Sequence, residues 1–347
     1  MELKHLFSPA KIGNIKIKNR IVRSATFENL TKDGRVNDRY IKLYEDLAKG
    51  GTGLIITGAI SINYLTKNPG FMSEMKRISE LVHDYSETKI AVQLALTGNS
   101  IGPSGMNGKN ELSIEQIKQI IKDFATSAAL VYENDFDSLQ IHAAHGYLLS
   151  RFVSPYFNKR DDVFGQNRSK ILVEISNEIK DLIGKSFPIQ IKLQVSDFIP
   201  EGLTIQDSKN TIKTVSAHYD AIEPSGGGGG IVKGPKSYPS VILKSKLDEN
   251  YFLPAAKELK SEMGDCPLML MGGIRNPIDA EKILEDGHAD FISFCRPLIR
   301  EPNLPNRWKG GDMSITHCIS CNSCFMTIAS PEGLQCAVLK RKEEKKS

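Results

Sequence analysis

Residues 138–195 read SLQIHAAHGYLLSRFVSPYFNKRDDVFGQNRSKILVEISNEIKDLIGKSFPIQIKLQV. The stretch opens and closes on short apolar runs, Ser138–His142 and Ile189–Val195, with the amphipathic pattern of a helix at Ser169–Ile183 between them. Buried parallel strands read as continuous apolar runs, and alternation with helices marks a βαβ unit. The same alternation extends to both sides. Further strands are predicted at Ile21–Thr26, Gly53–Thr57, Ile90–Leu96, Tyr219–Glu223, Leu268–Met271 and Phe291–Phe294, and helices at Asp38–Lys49, Ile114–Glu133 and Pro277–Asp286, among others. Eight such units predict an α/β fold, a closed (β/α)8 TIM barrel, with a doubly wound open sheet as the alternative architecture.

The chain has 347 residues, 40% hydrophobic and 25% charged, an ordinary globular composition. One barrel takes ~250 residues and can exceed ~400 with insertions, so residues 1–310 read as the barrel and 311–347 as a short cysteine-rich extension with a charged tail. A net charge of +4 is small for this length. Basic residues cluster only at Lys340–Lys346, where Glu343 and Glu344 interrupt them, so a solvated end is expected and no nucleic-acid arm. No apolar run reaches the ~18 residues of a membrane span. The start, MELKHLFSPAKIG, lacks the apolar centre of a signal peptide, and a cytoplasmic location is expected.

In barrels of this kind chemistry sits where strands end. After the third strand comes LTGNSIGPSGMNGKN, and after the sixth the glycine run Gly226–Gly230, which reads either as a mobile cover or as a surface loop. The seventh ends in LMLMGGIRNP, where Gly272 and Gly273 let backbone approach an anion, and the eighth in FCRPLIREP, where Arg296 can fork onto a phosphate. Gln93 and Lys192 are polar residues inside apolar strands. A buried amide needs partners and a buried lysine needs an anion, so each is either a paired core residue or a group facing the edge of a planar heterocycle. QIHAAHGYLLSRFVSP, residues 140–155, puts His142, His145 and Tyr147 at one strand end: two imidazoles able to donate to one oxygen, and a hydroxyl able to donate a proton to carbon.

HAAHGYL followed by SPYFNKRDDVFGQNRSK resembles the signature of the old yellow enzyme family, and LFSPAKIGNIKIKNRIVRSAT resembles its first strand. AVQLALTG, IKLQVSDF, LMGGIRNP and FCRPLIREP follow in the family's order, so the likeness covers about residues 3–305. It implies an FMN-containing barrel that takes hydride from NADH or NADPH and passes it to a small-molecule acceptor, an activated alkene or similar. By residue-wise match, Ser24, Ala25 and Thr26 lie under the flavin ring, Gln93 at its pyrimidine edge and Lys192 near N1. Gly272, Gly273, Cys295 and Arg296 hold the phosphate, His142 and His145 anchor the substrate, and Tyr147 donates the proton. The chain departs from the pattern in three places: Phe27 stands where Thr or Cys is common, Gly58 where an acidic residue often stands, and the insertion before Asn167–Arg168 is shortened.

Six cysteines in a long chain do not suggest a disulfide scaffold, and four of them gather near the end. Cys318, Cys321, Cys324 and Cys336 are spaced Cys-x2-Cys-x2-Cys-x11-Cys, which can wrap a [4Fe–4S] cluster; zinc and plain reduced thiols are the alternatives. The segment resembles the cluster segment of trimethylamine dehydrogenase and dienoyl-CoA reductase, long relatives of the family whose further nucleotide-binding domains are not expected here. Two readings follow. One is a stand-alone ene-reductase; the other is a flavin and iron–sulfur subunit exchanging electrons with a separate redox protein. A non-flavin barrel using His142 and His145 is the third. The sequence leaves a homo-oligomer open.

Overall fold

A computed structural model describes residues 2–29, 35–85, 87–97, 102–104, 111–228, 242–330 and 332–345. Ten strands are present among them. A hairpin, β1 (Ala10–Ile12) and β2 (Ile15–Ile17), precedes eight strands of one sheet: β3 (Ile21–Arg23), β4 (Leu54–Ser61), β5 (Lys89–Ala95), β6 (Ser138–Ala143), β7 (Ile189–Ser196), β8 (Ala221–Gly226), β9 (Met269–Leu270) and β10 (Phe291–Phe294). All neighbours in the sheet are parallel, in the order β8-β7-β6-β5-β4-β3-β10-β9. The Ile222 N–H donates to Pro267 O at 2.9 Å beside a parallel bridge from Ile222 to Leu268, which joins β8 to β9 and closes the ring. The fold is therefore the (β/α)8 barrel, and the open sheet is excluded. The predicted helices form at Asp38–Lys49, Ile114–Glu133, Lys170–Ile183 and Pro277–Glu285.

Side chains on a strand alternate between two faces. Ile21, Ile55, Ile90, Val92, Ile141, Ile191 and Ile222 join the large core between the strands and the helices. Their neighbours point into the barrel. At its N-terminal end Val22, Leu54, Ile56, Ala91, Ala221, Met269 and Phe291 pack with Ile12 and Ile17, so the hairpin plugs the bottom. Its two-residue turn uses Gly13 at φ +55, a conformation that glycine adopts without strain. Toward the other end four strands present polar inward residues: Gln93 on β5, Gln140 and His142 on β6, Lys192 on β7 and Glu223 on β8. On β5 and β8 the period of two thus sends an apolar residue to the floor and a polar one to the mouth, whereas β6 and β7 are polar at every inward position, Ser138, Gln140 and His142 on one and Gln190 and Lys192 on the other.

The strand bounds differ by three residues or more from the sequence reading at three places, one of them β8, which runs Ala221–Gly226 rather than Tyr219–Glu223. β3 ends at Arg23 rather than Thr26: Ser24 N–H still donates to Phe294 O at 3.0 Å, but the chain then leaves the sheet to line the mouth. β4 runs on to Ser61 through a register shift between Ile56 and Ala59. The SPYFNKRDD stretch serves as scaffolding. Asn158 Nδ2 donates to Phe152 O and Phe164 O at 2.8 and 2.9 Å, and Arg160 Nη1 donates to Pro103 O and Leu112 O at 2.6 and 2.7 Å, which ties the loop after β6 to the one after β5. Much of the loop after β5, and Gly229–Gly230 of the glycine run, lie outside the described residues.

Candidate active site

The polar mouth opens into a continuous cleft. One part, about 680 Å³, is lined by Ser24, Ala25, Thr26, Phe27, His145, Tyr147, Lys192, Gly272, Gly273, Cys295 and Arg296, among others. The other, about 560 Å³, shares Ala25, Phe27, His145, Tyr147 and Lys192 and adds Gln93, His142, Glu28 and an aromatic wall of Tyr40, Tyr64 and Phe71. The structure therefore brings together all twelve barrel residues singled out from the sequence.

His142 sits on β6 beside Lys192 on β7. His145 follows in the loop at φ +63, a left-handed position that Gly146 continues at φ +77, and this turn swings the second imidazole over the first. The rings meet edge to face at 4.9 Å between centroids, and the Tyr147 ring lies 5.2 Å from that of His142. Gln194 Oε1 accepts the His145 N–H at 2.9 Å, and the Ser225 hydroxyl and His145 Nε2 share a hydrogen bond of 2.7 Å. Burial, with the Lys192 charge adding to it, pushes the His142 imidazole down to about 3; burial, then His142 and Lys192, holds His145 well below its ordinary value. Both are neutral donors near neutral pH.

Lys192 is 2% exposed. Its ammonium donates to Ser24 Oγ at 2.8 Å and lies 3.1 Å from Glu223 Oε2. It is thus both a paired core residue and a cleft-lining one. Gln140 links the same carboxylate to Gln93, with Gln140 Nε2 donating to Glu223 Oε2 at 3.0 Å and Gln93 Nε2 donating to Gln140 Oε1 at 2.6 Å. Sequence reading missed Gln140 and Glu223. The signal was the one that found Gln93 and Lys192, a polar residue within an apolar strand.

At the opposite end Gly272 and Gly273 take φ +111 and +78. A Cβ at Gly272 would come within 2.7 Å of the Phe252 ring, and one at Gly273 within 2.9 Å of Tyr251, so only glycine leaves this wall in place. Cys295 Sγ lies 3.1 Å from Thr26 Oγ1. Arg296 donates from Nη1 to Ser320 O and Asn322 Oδ1, at 3.0 and 2.6 Å, so part of its guanidinium is committed to the extension.

The two departures that fall in the cleft have physical consequences. Phe27 is 57% exposed and borders both parts of the cleft, an apolar lip in place of a hydrogen-bonding one. A Cβ at Gly58 would lie 2.0 Å from Glu28 Oε2, so a carboxylate from the first loop fills the space that a side chain at 58 would need. Arg23 Nη2 donates to Glu28 Oε1 at 2.6 Å and Tyr44 OH to the same oxygen at 3.1 Å, all three buried.

The extension packs across the mouth. Asn29 Nδ2 donates to Ile328 O at 2.7 Å and Leu334 N–H to Glu28 O at 2.9 Å. Cys318, Cys321, Cys324 and Cys336 line one small cavity, which Arg296 also borders. Burial, with the neighbouring thiols Cys295 and Cys318 adding to it, pushes the Cys324 thiol up to about 12. Four thiols around one cavity are the donor set of an iron–sulfur cluster or of zinc, although among the described residues no three Cys, His, Asp or Glu side chains converge on a single metal-sized point.

The orphaned Nδ1 of buried His142, the buried lysine and the glycine-walled end make the cleft suited to a planar, anion-bearing cofactor such as FMN. Residues 5–313 match the NADH:flavin oxidoreductase / NADH oxidase family. An NADH oxidase of Thermoanaerobacter brockii is 32% identical over 92% of this chain and 53% of its own length, so the chain spans about half of that relative. An NADPH dehydrogenase of Geobacillus sp. is 30% identical over 86% of this chain and 92% of its own. A solved 2-naphthoyl-CoA reductase complex shares the fold at a TM-score of 0.85 and 23% identity, over 96% of this chain and 57% of that one.

Proposed function

Since the chain belongs to the NADH:flavin oxidoreductase / NADH oxidase family, that of the old yellow enzymes, we propose that it binds FMN in this cleft and reduces a small-molecule acceptor with NADH or NADPH, an enone-like alkene being the acceptor class that the site suits. The observation that carries the reading is the meeting of His142, His145 and Tyr147 over the same cleft that Gln93, Lys192, Gly272 and Gly273 line. When bound, FMN supplies a carrier that accepts hydride from a nicotinamide and returns it to the acceptor. Gln93 and Lys192 would hold its pyrimidine edge, Ser24, Ala25 and Thr26 its ring, and Gly272, Gly273, Cys295 and Arg296 its phosphate.

The two neutral imidazoles donate hydrogen bonds to the acceptor's carbonyl oxygen, where negative charge develops, without giving up a proton. In the tautomer with its proton on Nδ1, His145 accepts the Ser225 hydroxyl at Nε2 and offers its N–H to the cleft, and this is the tautomer the reading requires. Tyr147 holds the proton that the acceptor's carbon needs, and Phe27 with the aromatic wall keeps water from the reacting bond. The domain division at residue 310 belongs to this reading, with the barrel as the catalytic body.

A second reading rests on the four cysteines lining one cavity next to Arg296. Cys318, Cys321, Cys324 and Cys336 would hold a [4Fe–4S] cluster through which the chain exchanges electrons with a separate redox protein. The absorption spectrum of anaerobically purified protein tests both readings. Flavin bands are expected, with a broad iron–sulfur shoulder if the second also holds. Colourless protein that cannot be reconstituted with FMN overturns the flavin reading. Steady-state turnover of an enone with NAD(P)H alone favours the stand-alone enzyme.

A further inference from the structure

We propose that Glu223 is a positioning residue that sets the hydrogen-bond polarity of the cofactor-facing edge, through Gln140 to Gln93 and directly through Lys192. The proposal rests on the flavin reading above. Glu223 is 0% exposed, yet one carboxylate oxygen, Oε2, receives two donors, Lys192 Nζ and Gln140 Nε2. An ammonium can only donate, so the carboxylate beside it must accept. Gln140 is then forced to present its NH2 to Glu223 and its carbonyl to Gln93. Gln93 in turn must present its NH2 to that carbonyl, at 2.6 Å. What remains on Gln93 is the second N–H of its amide and Oε1, an acceptor for which no hydrogen bond forms among the described residues, on a side chain that lines the cleft. This ordering does not depend on how either amide is drawn, because the lysine fixes the first link.

The cleft therefore offers an acceptor on Gln93 and a donor on Lys192. The complementary ligand edge is an N–H beside a carbonyl, the imide edge of a flavin's pyrimidine half. Neutral Gln140 carries the instruction from a carboxylate that the ligand never touches. Glu223 has a second effect of the same origin. It lies 3.1 Å from the ammonium and offsets the positive charge that would favour reduction of a bound flavin.

The test is FMN titration and spectroelectrochemistry on the apo and FMN-loaded chain, with circular dichroism as the folding check. Glu223→Gln should bind FMN, and the bound flavin should be easier to reduce than in the wild type. Gln140→Leu keeps both charges and cuts the link to Gln93, so FMN affinity should fall by about 5–10-fold, the loss of one buried hydrogen bond, with no rise in potential. An unchanged or lower potential in folded, loaded Glu223→Gln overturns the proposal, as does unchanged FMN affinity in Gln140→Leu. The second variant decides alone if the first does not fold. A wild-type chain that takes up no FMN in the same titration removes the flavin reading and the proposal with it, an outcome separate from a failure of the variants.

Discussion

Tyr147 and His142 carry the predictions that belong to single side chains. Tyr147→Phe removes one hydroxyl from the loop and leaves the His142–His145 contact in place. Flavin reduction by NAD(P)H should stay nearly intact, while the half-reaction with an enone slows by ~10²–10⁴, the range for loss of a general acid. Stopped-flow measurement of the two half-reactions separates them, and equal slowing of both excludes Tyr147 as the donor. His142 bears on stability. Its imidazole is held down to about 3 from the ordinary 6.5 by burial. Below pH 6.5 the unfolded chain binds a proton that the folded chain refuses, so this contribution to stability is complete above 6.5 and is lost as pH falls toward the folded value. The slope is about 1.4 kcal/mol per pH unit for one histidine. Urea unfolding between pH 7 and 5 should show it, and His142→Gln should have the shallower dependence.

Among the elements, the loop after β9 gives the clearest contrast. Gly272 and Gly184 both have positive φ, +111 and +91, but a Cβ at 272 meets the Phe252 and Tyr251 rings while one at 184 meets nothing within 4 Å. Each substitution to Ala should cost about 1–3 kcal/mol of backbone strain, measurable by urea unfolding. Only Gly272→Ala should also lose FMN; loss of FMN in Gly184→Ala instead would mean that the effect is general instability. The strands were the most legible part of the sequence, since Leu268–Met271 is an unbroken apolar run, Phe291–Phe294 is broken only by Ser293, and the closed barrel follows from eight such short strands. The β1–β2 hairpin was not legible, because AKIGNIKI is too short for its alternation to stand out, and its buried Ile12 and Ile17 matter only once the barrel bottom exists. The clustering of His142, His145 and Tyr147 could be read from their closeness in the chain. The Glu223–Gln140 link could not, for it joins β8 to β6 past the intervening β7, and only the assembled, inward-curving sheet brings the two side chains within reach. Glu28 was hidden for a related reason: its partners Arg23 and Tyr44 come from other elements, and its fit depends on the missing side chain at 58.

On the scale of the whole molecule, the extension and the barrel meet at Arg296, which borders both the large cleft and the cysteine cavity. Arg296→Ala should therefore act twice. FMN affinity should fall by the ~1.5–3 kcal/mol of a charge-assisted hydrogen bond, and residues 318–336 should become more open to limited proteolysis through loss of the bonds to Ser320 and Asn322. A change in affinity without a change in proteolysis would leave the arginine to the phosphate alone. Cys324→Ser should abolish any iron–sulfur absorbance while leaving the flavin bands, and iron analysis of the anaerobic wild type supplies the reference. Closure of the ring carries a cost during synthesis. The first barrel strand, β3, takes its second neighbour from the last, β10. Until Phe291–Phe294 has left the ribosome, one edge of Ile21–Arg23 has no strand beside it, and its bare N–H and C=O groups are a template on which two nascent chains can join. Chaperone demand and inclusion-body yield should accordingly be highest for chains released before that last strand is made, and fall once it can dock.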